Sequence, residues 1–126
     1  MTTLFAIAIF GALGCLTRYY LAGAVYARFG SAFPVGTLAV NVIGAFCIGL
    51  VMELSIVTTL IPPTLRMGVA VGFLGGLTTF STFSYETFRL LEEGELLYAT
   101  ANVFMSVITC LLFTWLGIVA ARALQG

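Results

Sequence analysis

The sequence contains no histidine, no lysine and no aspartate; its formal charges are five arginines and five glutamates, 8% of 126 residues. Without histidine, the residue that most often serves as general base or imidazole metal ligand is missing. No nucleophile motif or cluster of carboxylates at membrane depth replaces it, so an enzyme is the least favoured reading. The net charge is zero, which gives no reason to expect nucleic acid as a partner. Cysteine is scarce as well: Cys15, Cys47 and Cys110 fall in three separate apolar segments without metal-ligand spacing. They read as small hydrophobes, not as a disulfide framework.

Apolar residues are abundant instead, at 61% of the chain, and the mean hydropathy is +1.15. Soluble domains carry about 25% charged residues, so the chain reads as an integral membrane protein. The apolar runs are long and continuous rather than alternating, which argues against a β-barrel. One bilayer crossing needs about 20 residues, so four crossings use about 80 to 90 and leave only short loops. The expectation is one all-α membrane domain over residues 1–126, with spans near 4–26, 34–56, 66–90 and 98–122. The N-terminus carries no basic region, so the first apolar segment is read as a retained span. Pro34 suits the first turn of the second span, and Pro62-Pro63 marks the following turn. The segment Glu92-Glu93-Gly94-Glu95 reads as a solvated acidic turn.

The third span carries the least lipid-like stretch, Gly75-Gly76-Leu77-Thr78-Thr79-Phe80-Ser81-Thr82-Phe83-Ser84. Glycine costs about 1 kcal/mol against alanine in a helix interior, and β-branched threonine is also unfavourable there. Backbone that leaves the helix at membrane depth is tolerated only where protein buries it or it lines a cavity. A break near residues 75–79 therefore reads as functional, because discontinuous helices commonly mark ion or substrate sites. The competing reading is close helix packing through small residues.

Polar groups elsewhere fall on defined faces. Thr37, Asn41 and Gly44 share one face of the second span. Asn41 either bonds another helix or offers its amide donors to an anion. Asn102, Ser106, Cys110 and Thr114 recur every four residues in the fourth span, as a helix-packing stripe or as a pore wall. Arg18 lies deep in the first span, beside Tyr19 and Tyr20. A central arginine costs about 2.5–3.5 kcal/mol on insertion scales. It reads either as an interfacial anchor or as a buried cation that stabilises the fold.

Arginines near the span ends do not select an orientation. Arg66 and Arg122 lie on the side of the termini, and Arg28 and Arg89 on the other. A chain without bias can insert both ways, and the two forms can pair about an axis in the membrane plane. Four short spans are few to enclose a pathway, so a homo-oligomer, most often a dimer, is expected.

The run from Gly72-Phe73-Leu74 through Ser84 resembles the signature of the Fluc family of fluoride channels, also called CrcB. Gly11-Ala12-Leu13-Gly14 with Thr17-Arg18-Tyr19 resembles that family's first span, and Gly36-Thr37 with Asn41 and Gly44 its second. The resemblance covers essentially the whole chain. It implies a fluoride-selective channel in the cell inner membrane, built as an antiparallel dual-topology homodimer with two pores. It also implies a structural sodium ion (Na+) on the two-fold axis, held by backbone carbonyls of Gly75 and Thr78 from each subunit. Asn41, Phe80, Phe83 and Ser106 fall on the family's pore-lining positions, and Arg18 on its first-span arginine. Thr37, Ser84 and Thr114 are taken as further polar wall. At the positions of Asn102 and Cys110 the resemblance admits different side chains in other members, such as Tyr or Ser.

Elementary electrostatics is compatible with that expectation. Moving a carboxylate-sized ion into a dry medium costs of order 20 kcal/mol, and fluoride is smaller. A path therefore needs several donors in series. A broken helix exposes orphan N–H groups, Asn41 and hydroxyls donate, and the edges of Phe80 and Phe83 are electropositive. A cation about 10 Å away adds roughly 1.7 kcal/mol at an effective dielectric near 20, which assigns the sodium mainly to holding two breaks together. The alternative is a small multidrug-type cation exporter. It requires an acidic residue within the first span, where this chain has Arg18 and none. A non-transporting scaffold subunit is a third reading.

Overall fold

The computed structural model describes residues 1–126. It is all-helical: α1 (Thr2–Phe29), α2 (Val35–Val57), α3 (Pro63–Met67), a π-helical turn (Gly68–Phe73), α4 (Leu74–Leu77), α5 (Phe80–Glu92) and α6 (Leu96–Gln125). The pieces from α3 to α5 form one bent span, Pro63–Glu92, so four helices are long and apolar enough to cross a membrane. The first, third and fourth spans extend a few residues beyond the apolar stretches that mark them, and the second matches its stretch to within a residue. Pro63 opens α3 at its first position, where its fixed φ is suited. Gly30 ends α1 at φ 82°, and Gly94 turns the chain into α6 at φ 78°, backbone values that favour glycine.

Two helix pairs build the bundle. α2 and α6 run parallel and share the most extensive contact. A Cβ at Gly49 would run into the Thr114 carbonyl, and one at Gly117 into the Phe46 carbonyl, so both glycines let the backbones touch. At their common end, Arg122 Nε lies 2.8 Å from Glu53 Oε1. α1 packs on the π-helical turn and α4. There Gly72 meets the Ile7 carbonyl, and Gly76 the Gly11 carbonyl. Val40, Leu74 and Leu77 form a small core between these pairs. Only 18 of 126 residues are buried, so most apolar side chains face outward.

The break lies at the end of the 75–79 segment that the sequence marks. Gly75 and Gly76 are helical, within α4. The chain leaves the helix at Thr78 (φ −88°, ψ 159°) and Thr79 (φ −152°, ψ 122°) and re-enters it at Phe80. β-Branched residues suit extended backbone, whereas Gly76 is fixed in the helix by its contact with α1. The two readings of this stretch therefore divide it: the threonines break the helix, and Gly76 packs it.

Candidate functional site

The break is held open by one side chain. Asn41, in the second turn of α2, reads both backbone groups of Thr79: its Oδ1 accepts the Thr79 N–H at 2.8 Å, and its Nδ2 donates to the Thr79 carbonyl at 3.0 Å. The amide thus plays the part of a neighbouring strand for a single extended residue. Of the two donors on Nδ2, one remains. Gly44, one helical turn further along, touches the Thr78 methyl and leaves no room for a Cβ. The common face of Thr37, Asn41 and Gly44 is accordingly the face that α2 turns toward the other helices.

Thr79 then starts α5. Its Oγ1 accepts the Thr82 N–H at 3.1 Å as an N-cap. The N–H groups of Phe80 and Ser81 find no acceptor within the chain, as the first turn of a helix requires. On the other side of the break, Thr78 N–H and Oγ1 both donate to the Leu74 carbonyl. The carbonyls of Gly75, Gly76, Leu77 and Thr78 receive no donor from the chain, because the residues four further on are turned away or engaged elsewhere. The break therefore presents free carbonyls on one side and free amides on the other.

A cavity of about 440 Å³ opens beside it. Of the residues singled out from the sequence, it gathers Asn41, Phe80, Phe83, Ser106 and Thr114 as lining, together with Gly75 and Thr78. Cys110 and Thr79 also line it, and its walls contain no charged side chain. The Phe80 and Phe83 rings lie 5.4 Å apart, tilted by 48°. Phe80 is 78% exposed, so this wall is open on one side in the single chain.

Thr37 and Ser84 are placed elsewhere. Ser84 is exposed and does not line the cavity. Thr37 is buried at the start of α2, where its hydroxyl lies 3.2 Å from the Tyr26 hydroxyl and its N–H donates to the same oxygen at 3.4 Å. Tyr26 in turn donates to Glu86 Oε2, and Glu86 Oε1 is buried without a partner. Gly36 makes this possible, since a Cβ there would strike the Tyr26 ring. The partner of Glu86, Tyr26 opposite Gly36, lies across three helices and is invisible to spacing. Arg18 is half-buried and has no hydrogen-bond or ion-pair partner within the chain.

Four apolar helices, a span interrupted by two extended residues, and a mostly apolar cavity at the interruption, set with a few uncharged polar groups, define a small polytopic membrane protein with a discontinuous-helix site. A family model described as "CrcB-like protein, Camphor Resistance (CrcB)" matches residues 5–118. The chain belongs to the CrcB family, as its resemblance in sequence implies. A relative from Geotalea uraniireducens named "Fluoride-specific ion channel FluC" is 69% identical over 124 residues, covering 98% of this chain and all of its own. Relatives of the same name from Geobacter metallireducens and Trichlorobacter lovleyi are 68% and 60% identical, again over 98% of this chain. They cover 100% and 99% of their own lengths.

Proposed function

We propose that this protein is a channel that lets fluoride cross the cell membrane passively, along a path through the cavity at the Thr78–Thr79 break. The observation that carries the reading is that cavity: at one place it collects the spare Asn41 donor, the Ser106 and Thr114 hydroxyls and the Phe80 and Phe83 rings. The ion's identity comes from the relatives, whose printed name is fluoride-specific ion channel. Uncharged donors and ring edges in series offset part of the dehydration cost without holding the anion tightly, and conduction requires such weak, repeated sites. The absence of a carboxylate from the cavity wall argues against the cation exporter.

The working unit is an antiparallel homodimer with two such paths, in the inner membrane. Two observations support it: the open side of the cavity at Phe80, and the exposed rings of Tyr85 and Phe88 on the same half-helix. A second copy would cover them. The donor-free carbonyls of Gly75 and Thr78 fit a hard monovalent cation, which prefers oxygen ligands. These two residues, from each copy, would hold a sodium ion. Bound there, the ion supplies positive charge to carbonyls that otherwise face an apolar surrounding. Arg18 is assigned to the fold of the dimer.

Efflux from proteoliposomes loaded with both fluoride and chloride tests the reading. Fluoride is expected to leave fast, with chloride retained. Equal loss of the two ions rejects selectivity, and retention of both rejects the channel.

A further inference from the structure

One buried polar residue joins the two walls of the cavity without lining it. Asn102, on α6, is 2% exposed and lies outside the cavity. Its Nδ2 donates to Thr87 Oγ1 at 2.8 Å, and its Oδ1 accepts from Ser106 Oγ at 3.4 Å. Thr87, on α5, donates to the Phe83 carbonyl at 2.7 Å. The donors run in one direction, from the Ser106 hydroxyl through Asn102 and Thr87 to the Phe83 backbone. The first and last members line the cavity, from α6 and α5 respectively.

Two consequences follow from chemistry alone. A serine hydroxyl has one proton, and that of Ser106 is directed at Asn102, away from the cavity. An anion that reaches Ser106 must turn this proton toward itself, and the acceptor that releases it is Asn102. The bond is long, so the proton is held weakly. The second consequence concerns α5, which has few neighbours within the chain. Its register against α6, and with it the position of the Phe83 ring, is tied by the Asn102–Thr87 bond.

We propose that Asn102 is a positioning residue for anion passage, acting on Phe83 through Thr87. The inference rests on the channel reading. The competing view is that Asn102 is only a satisfied buried amide that stabilises the helix pair.

Fluoride efflux per assembled protein separates the two, measured for the wild type, Asn102→Leu, Thr87→Val, Thr87→Ser and the Asn102→Leu/Thr87→Val double variant. Thr87→Val keeps the shape and removes the hydroxyl; it is expected to slow efflux about tenfold, as small displacements at a positioned site do. Thr87→Ser keeps the hydroxyl and is expected to retain flux near the wild-type rate. Asn102→Leu is expected to fall like Thr87→Val, and the double variant no further than the worse single, because both break one chain of bonds. A stabilising role alone would lower melting temperature and yield but leave flux per assembled protein unchanged. The proposal is overturned by normal flux in Thr87→Val, by equal losses in Thr87→Ser and Thr87→Val, or by losses that multiply in the double variant. Should Asn102→Leu fail to assemble, the Thr87 pair decides by the same criteria. Wild-type liposomes that hold fluoride reject the channel reading and this inference with it, whereas a conducting wild type with an indifferent Thr87→Val rejects the inference alone.

Discussion

Asn41 has two tasks that compete for one amide. Its carbonyl oxygen and one N–H are committed to Thr79, which leaves one N–H for an anion. Asn41→Asp separates the tasks. The carboxylate still accepts the Thr79 N–H, but it cannot donate to the Thr79 carbonyl, and it adds negative charge to the cavity. The expected outcome is a loss of fluoride efflux of at least about tenfold, since removing one preorganised donor typically costs two to three decades in enzymes. Size-exclusion chromatography should show the assembly unchanged. At Gly49 and Gly117 the expectation is the reverse. Gly117→Ala places a methyl group against the Phe46 carbonyl, and overpacking of this kind costs about 1–3 kcal/mol. A lower melting temperature with flux per assembled protein intact is the result to look for.

At the scale of the element, the third span works as two half-helices with different attachments. α3, the π-helical turn and α4 are packed tightly on α1 through Gly72 and Gly76. α5 is tethered by polar contacts, one from each neighbouring span: Asn41 to Thr79, Asn102 to Thr87 and Tyr26 to Glu86. Thr79→Ala removes the N-cap of α5, a change that costs about 1 kcal/mol, and loosens the half that carries both phenylalanines. A modest drop in thermal stability and a larger drop in flux are expected together. Phe80→Ile and Phe83→Ile keep an apolar wall but remove the electropositive ring edges. Each should reduce transport while the assembled protein remains folded, and unchanged flux in both would remove the rings from the mechanism.

For the whole molecule, the exposed rings of α5 and the donor-free carbonyls of the break leave the single chain incomplete on one side. In the proposed dimer, a second copy in the opposite orientation would complete both. Cysteine-accessibility labelling of the two termini in intact cells should therefore find each terminus on both sides of the membrane; exclusive labelling from one side would exclude the dual-topology dimer. Replacing sodium with a large organic cation during purification and assay should weaken dimer assembly, read by cross-linking, more than it alters the fold of each chain. Loss of flux with assembly intact would instead place the cation in conduction.

Much of this architecture is a property of the sequence itself. Long uncharged runs of helix length admit little besides membrane spans, because backbone polar groups in hydrocarbon must be bonded internally. The clustered glycines and threonines between Gly75 and Ser84 mark where a helix is least able to continue. Spacing also places Asn41, Ser106 and Thr114 on faces that can meet. Spacing does not say which faces do meet, and the tertiary structure decided that. It turned Thr114, Ser106 and Phe83 toward one cavity, sent Thr37 to Tyr26, and left Ser84 on an exposed surface. It also assigned the break to Thr78 and Thr79 and kept Gly76 helical, since the close approach of α1 holds that turn. The physical reason is the same in each case. Helical periodicity is local and repeats with the sequence, whereas a hydrogen bond such as Asn41 to Thr79 depends on two spans being brought together by packing that neither of them encodes alone.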